Sequence, residues 1–245
     1  MTRSLYPLTD DTDWFPNPTL ALDEPPGLLA IGGDLSPERL LAAYQRGIFP
    51  WFNEGEPILW WSPNPRACID PAKIRVNKSL KKFLNRCDYR MSINQAFDQV
   101  IEACAEPRGD QGDTWILPPM QAGYSSLHKK GHAHSIEIWQ GDDLVGGLYG
   151  VLVGSAFCGE SMFSTKSNAS KLALLTLGYL LANKASSFID CQLPNPYLMS
   201  MGASLMSRDV FLEKLHFAVK YDLPKSIFSP RFIERQPIVE HYVNG

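Results

Sequence analysis

His134-Ser135-Ile136-Glu137-Ile138-Trp139 alternates in polarity, Asp142-Asp143 supplies a turn, and Leu144 to Val153 follows as a long apolar run. Alternation with a period of two marks a strand, and an apolar run bounded by turn residues marks a strand buried in a core. The stretch predicts hairpin-linked strands, and Ser155 to Cys158 begins another. Ser170 to Leu181 then reads as an apolar helix with Asn168 or Ser167 as its cap. Phe188 to Leu193 reads as a short buried strand. Hairpin-linked strands followed by a helix and a returning strand predict a mixed α/β fold.

Upstream, Ser79 to Arg86 predicts a short helix and Asn94 to Ala105 a second, with Phe97, Val100, Ile101 and Cys104 on one face. Pro118 to Lys130 predicts a third. Downstream, Ser207 to Leu215 begins another, with Asp209 in its first turn. The first sixty or so residues differ in texture. Trp14-Phe15-Pro16, Pro25-Pro26-Gly27, Ile48-Phe49-Pro50-Trp51-Phe52 and Trp60-Trp61-Ser62-Pro63 punctuate short elements and turns. One helix stands out there: Ser36 caps it, Pro37 suits its first turn, Leu40, Leu41 and Tyr44 follow at helical spacing, and Gly47 stops it. The stretch from Pro63 to Pro71 reads as a junction. The expected division is a small N-terminal domain over 1–64 and a larger domain over 65–245.

Composition narrows the function classes. With 245 residues, 44% hydrophobic and 20% charged, the chain can bury a sizeable core, which argues against disorder. No run approaches a membrane span, and Met1 to Pro7 lacks the apolar stretch of a secretory signal, so the expected location is cytoplasmic and no membrane partner is expected. The five cysteines are widely spaced and form no CxxC pair. His132 and His134 share a strand face with no Asp, Glu or Cys placed to complete a site. Neither a metal nor a redox pair is therefore expected. A net charge of −3 means that any contact with nucleic acid must rely on local positive charge.

Four groups of residues carry chemical potential. Gly159-Glu160-Ser161-Met162-Phe163-Ser164 lies between a strand and the Ser170 helix, where a loop can aim N–H groups at an anion. Glu160 there is either a surface carboxylate at a turn or one that meets an ammonium group beside an apolar pocket. Asp190 and Gln192, two apart on a predicted strand, share a face. They are either a structural hydrogen-bonded pair or a working one, since a buried Asp needs a partner. Lys78, Lys82 and Arg86 recur at i, i+4 and i+8 with Lys81 beside them, while Leu80, Phe83 and Leu84 lie opposite. That stripe is a solvated face or, lacking interleaved acids, a contact for a phosphate backbone. Trp51, Phe52, Trp60, Trp61 and Trp115 are core aromatics, or, for Trp51 and Trp115 beside loops, platforms for an RNA base.

Longer strings add to these. They are Gly27-Leu28-Leu29-Ala30-Ile31-Gly32-Gly33-Asp34-Leu35-Ser36, Tyr44-Gln45-Arg46-Gly47-Ile48-Phe49-Pro50-Trp51-Phe52, and Leu59-Trp60-Trp61-Ser62-Pro63 with Pro65-Arg66. Gly112-Asp113-Thr114-Trp115-Ile116, Gly131-His132-Ala133-His134-Ser135-Ile136-Glu137 and Val145-Gly146-Gly147-Leu148-Tyr149-Gly150 follow, then Phe157-Cys158-Gly159-Glu160-Ser161-Met162-Phe163-Ser164 and Asp190-Cys191-Gln192. In this order the sequence resembles the bacterial leucyl/phenylalanyl-tRNA–protein transferases over residues 27 to 203. The resemblance implies a C-terminal GNAT-like acyltransferase domain and no cofactor. It implies aminoacyl-tRNA (Leu, Phe, Met) as donor, acceptor proteins with N-terminal Arg or Lys, and a product read as an N-degron. By position it implies Asp190 and Gln192 as a catalytic pair and Glu160 as an acid near the incoming amine. It implies an amino-acid pocket of Leu148, Phe157, Met162 and Leu177, with Trp51 and Trp115 at the terminal adenosine. Lys78, Lys81, Lys82 and Arg86 would meet the tRNA backbone.

An aminoacyl ester is already activated, so the reaction needs orientation and a proton route, with no acyl-enzyme and no nucleophilic Cys. In the expected arrangement Gln192 accepts a hydrogen bond from the amine, and Asp190 polarises its amide. Two rival readings remain: an acetyl-CoA-dependent acetyltransferase, opposed by the missing pyrophosphate loop, and a non-catalytic RNA-binding module, which leaves Glu160, Asp190 and Gln192 without a reason.

Overall fold

The computed structural model describes residues 4–107 and 114–244. Gly112 and Asp113, which open the Trp115 motif, lie outside them. The N-terminal part forms a four-stranded sheet from β1 (Tyr6–Pro7), β2 (Leu28–Ile31), β3 (Phe49–Pro50) and β4 (Leu59–Trp61), in the order β1-β2-β4-β3. Helix α1 (Pro37–Gln45) joins β2 to β3. The oxygen of Ser36 accepts from the Arg39 N–H at 3.4 Å, Pro37 fills the first turn, and Gly47 follows at a φ of 74°. That left-handed turn needs glycine twice over, because a Cβ would also sit 2.6 Å from the Phe211 ring. The close approach brings the Gly47 carbonyl against the larger domain.

The chain leaves the smaller sheet at Trp61 and enters the larger one at β5 (Arg66–Ile69). Helix α2 (Lys78–Arg86), β6 (Arg90–Ile93), α3 (Phe97–Ala105) and α4 (Pro118–Lys129) precede the hairpin-linked strands β7 (Ala133–Gln140), β8 (Asp143–Val153) and β9 (Ala156–Ser164). Next come α5 (Ala169–Leu181), β10 (Phe188–Asp190), α6 (Pro196–Ser200), β11 (Ser204–Met206) and α7 (Arg208–Ala218). Strand β12 (Arg231–Ile233) and α8 (Arg235–Val239) complete the set. The sheet order is β11-β5-β10-β9-β8-β7-β6-β12, antiparallel at each described pairing except β9 with β10. The protein is thus mixed α/β, as the hairpin and its flanking elements predict.

Alternation along β8 sorts its side chains into two cores. Tyr149 and Val151 join a core that contains Phe15, Leu29, Tyr44 and Trp60 of the N-terminal part, with Phe97 of α3 and Phe211 of α7. Leu148 joins the opposite core with Leu174 and Leu177 of α5 and Phe157 of β9. The smaller domain therefore shares one apolar core with the larger.

Several local expectations are corrected. The stretch Gly159 to Ser164 is the second half of β9, not a loop, because it keeps pairing with β8. Strand β10 ends at Asp190, short of Leu193, and Gln192 has a left-handed φ of 54°, so Asp190 and Gln192 do not share a strand face. Helix α3 starts at Phe97, because Asn94 sits at a φ of 53°. Asn168 caps α5 by position only; at a φ of 62° it makes no side-chain cap hydrogen bond. The tail from Arg231 adds β12 to β6 and packs α8 with the turn over Glu240–Asn244 against α2, burying Ile238 and Tyr242.

Candidate active site

Strands β9 and β10 run side by side up to Cys158 and Asp190, where β10 stops and β9 continues. Along that continuation Gly150 of β8 pairs with Gly159 and Tyr149 with Ser161, so Glu160 is the unmatched residue of a β-bulge. A bulge re-aims one side chain out of strict alternation. Here it turns a carboxylate into a cleft of about 910 Å³. Gln192 and the next residues close the other side of that opening.

Glu160 and Gln192 line the cleft together with Leu148, Phe157, Met162 and Leu177. Leu148, Phe157 and Leu177 are buried and Met162 is partly covered, so they form an apolar recess beside two polar heads. Trp51 and Trp115 also line the cleft. Trp51 is 40% exposed and braced edge-on by Trp61 at 5.5 Å, which leaves ring surface open for stacking. These eight expected residues converge on one cavity. The four cations of α2 are not among its lining. Lys78, Lys82 and Arg86 are exposed on one helix face, while Lys81 is part-covered and donates to the carbonyl of Val243 at 3.2 Å.

Asp190 sits behind the cleft wall and is 1% exposed. Arg66, equally buried, donates to it twice, from Nε at 2.8 Å and from Nη2 at 2.7 Å. The Arg66 guanidinium also lies 4.4 Å from the Phe211 ring centre and 5.0 Å from that of Phe49, and Nη1 donates to the Gly47 carbonyl at 3.3 Å. A bidentate pair of this kind fixes orientation as well as charge. The Asp190 carboxylate also accepts from Gln192, but from its backbone N–H at 3.0 Å rather than from its side-chain amide. Asp190 thus holds the left-handed turn that aims Gln192.

Glu160 is reached from the smaller domain through a pair of tyrosines. The hydroxyl of Tyr124 donates to its carboxylate at 2.7 Å, and the hydroxyls of Tyr44 and Tyr124 meet at 2.6 Å. Glu160 is partly exposed and lines the cleft. Burial pushes its pKa up to about 7; the Tyr124 and Tyr44 hydrogen bonds and Arg66 oppose the rise, and nearby Asp190 adds to it. Such a group changes charge near neutrality. Cys158 and Cys191 lie close by, but burial pushes both thiols well up, so they stay protonated and are poor nucleophiles.

Sequence reasoning missed Arg66, Tyr44 and Tyr124. Arg66 had a signal: a cation within the apolar run of β5 requires a buried anion, and Asp190 requires a partner. The tyrosines had none, because their apolar rings fit helix faces and spacing does not reveal where a hydroxyl points. His134 is no ligand: its ring stacks on Phe228 at 4.3 Å, Nδ1 meets Asn94, and burial pushes its pKa down to about 3. Among the described residues no cluster of His, Cys, Asp or Glu is placed to hold a metal, and no helix is long and apolar enough to cross a membrane.

Residues 68–216 match the leucyl/phenylalanyl-tRNA protein transferase family, and residues 33–64 match the N-terminal domain of that family. Together with the cleft, these matches define the class of the protein, an aminoacyltransferase. The chain belongs to the leucyl/phenylalanyl-tRNA–protein transferase family. It is 51% identical over 236 residues to the enzyme of that name from Colwellia psychrerythraea, covering 94% of this chain and 98% of the relative. Those from Shewanella baltica and Shewanella woodyi are each 52% identical over 213 residues, 87% of this chain and 90% of theirs.

Proposed function

We propose that the protein moves leucine, phenylalanine or methionine from aminoacyl-tRNA to the α-amine of cytoplasmic proteins that begin with Arg or Lys, creating an N-degron. The observation that carries this reading is the convergence of an apolar recess, two polar heads and two tryptophans in one cleft. Leu148, Phe157, Met162 and Leu177 take the amino-acid side chain. A narrow slot admits side chains unbranched at Cβ and discriminates by about 1–3 kcal/mol per methylene, so leakage among Leu, Phe and Met is expected. Trp51 and Trp115 hold the terminal adenosine by stacking. Gln192 orients the attacking amine, Asp190 and Arg66 hold the turn that presents it, and Glu160 faces the amine. The exposed cations of α2 meet the RNA backbone. The larger domain, from residue 65, is GNAT-like in this reading, on the strength of the sequence resemblance. The change of sheet between Trp61 and Arg66 supports the boundary at residues 64 and 65.

The experiment is transfer of radiolabelled leucine from Leu-tRNA to a protein beginning with Arg, with Val-tRNA and an acidic N-terminus as controls. Label confined to the Leu and Arg combination is expected. Equal labelling of the acidic acceptor would remove the acceptor assignment.

A further inference from the structure

The two ends of the Gln192 amide are chemically distinguishable. With Nε2 toward the backbone, it donates to the carbonyl oxygens of Gly159 at 2.9 Å and Cys191 at 3.2 Å. Turned the other way, Nε2 lies 3.4 Å from Glu160 Oε1, and the amide oxygen faces those carbonyls, acceptor against acceptor. The first orientation makes two shorter hydrogen bonds and one acceptor contact at 3.4 Å; the second makes one long hydrogen bond and two closer acceptor contacts, so the surroundings select the first. The oxygen of Gln192 then takes the position 3.4 Å from Glu160 Oε1. A donor group seated beside both oxygens can give one hydrogen bond to each.

We propose that these two oxygens seat the α-amine of the acceptor, and that Glu160 takes the amine's proton during transfer and returns it to the departing ribose oxygen. This rests on the function proposed above and supplies its proton route. The neutral amine donates one N–H to each oxygen. Its lone pair attacks the ester carbonyl carbon, the N–C bond forms, and the π pair moves to the carbonyl oxygen. The nitrogen gives one proton to the Glu160 carboxylate. The carbonyl re-forms, the bond from carbon to the ribose oxygen breaks with its pair on that oxygen, and Glu160 hands the proton there. Amide and free tRNA hydroxyl result, and Glu160 is again a carboxylate. Gln192 is too weak a base to take the proton, so its part is orientation.

The surroundings suit the task. Tyr124 from α4 donates to the Glu160 carboxylate and Tyr44 from α1 backs it, while Arg66 from β5 favours the charged form. Asp190 from β10 and burial favour the neutral form, and Tyr149 from β8 and Cys158 on the same strand sense its charge. The balance near pH 7 lies within about one unit of an α-amine at about 7.7–8.0, so the proton moves between groups of similar basicity.

The test is kcat/KM against pH for transfer from Leu-tRNA to an Arg-initiated peptide, wild type against Glu160→Gln. Both amine and Glu160 must shed a proton, so log kcat/KM of the wild type rises with slope two below about pH 7, with slope one to about pH 8, and then levels. Glu160→Gln keeps slope one up to about pH 8, with no steeper limb below about pH 7, then levels, and it loses about 100-fold or more in turnover. Its tRNA binding, read by filter retention, stays at the wild-type level and shows that the variant is folded. A single slope of one in the wild type overturns the assignment, as does a variant within about threefold of the wild type at pH 8. Wild type that transfers to Leu-initiated or acidic peptides as well as to Arg overturns the acceptor reading instead, and the slopes still judge Glu160.

Discussion

At the scale of single residues, the site trades stability for charge. Folding raises the Glu160 carboxyl from its ordinary 4.5 to about 7, so the folded chain binds this proton more tightly than the unfolded chain. Stability from that proton is complete below about pH 4.5 and is lost as pH rises through about 7. Glu160→Gln escapes the loss and still accepts from Tyr124. The variant should match the wild type in thermal unfolding near pH 4.5 and exceed it by about 3 kcal/mol above pH 7. An equal advantage at both pH values would show that burial of the charge is not the cause. The Arg66–Asp190 pair behaves differently, because each partner neutralises the other. Asp190→Asn leaves Arg66 as a buried, uncompensated cation and should cost about 3–5 kcal/mol in denaturant unfolding. Arg66→Met with Asp190→Leu should recover much of that stability, yet not turnover, because the Gln192 N–H loses the carboxylate that holds its turn. Recovered turnover in the double variant would make Asp190 a matter of stability alone.

At the scale of elements, what was legible depended on periodicity. Strands β7 and β8 and helix α5 follow from long runs whose period matches their structure. The bulge at Glu160 breaks such a pattern by one residue, so the second half of β9 resembles a loop when read as sequence. Strand β10 is three residues long, and the left-handed turn at Gln192 leaves no mark in residue type, since glutamine has no special liking for it. The polar pair was visible as chemistry, but its geometry was not. Helix α2 is the reverse case: its amphipathic face was readable, and its exposed cations are where spacing put them. Neutralising Lys78, Lys82 and Arg86 together should weaken tRNA binding and lower the slope of log affinity against log salt by about 2–3, since each phosphate that a cation neutralises adds roughly 0.7–0.9 to that slope. Lys81→Met should have the smaller effect, since that ammonium is committed to the Val243 carbonyl. A triple variant with unchanged slope would return the stripe to a solvated face.

At the scale of the whole molecule, two polar chains cross from the smaller domain to Asp190 and Glu160 at the cleft. One runs from the Gly47 carbonyl through Arg66 to Asp190, the other from Tyr44 through Tyr124 to Glu160. Both start within or just after α1, and both pass through the apolar core that the domains share. Burial of each large apolar side chain in that core contributes about 1.5–3 kcal/mol, so neither domain keeps its full stability without the other. Equilibrium unfolding in urea should therefore follow a single transition, with far-UV circular dichroism and tryptophan fluorescence coincident. The Tyr44→Phe variant separates the polar chain from the core. It keeps the ring and removes one hydroxyl, so it should cost about 1 kcal/mol while leaving the transition single. Its larger effect should fall on Glu160: with Tyr124 no longer backed, the carboxylate is less supported, and the lower inflection of the pH–rate profile should move upward from about 7. An unmoved inflection would mean that α1 supports the site through packing alone. Two separated unfolding transitions would mean that the shared core does not couple the domains.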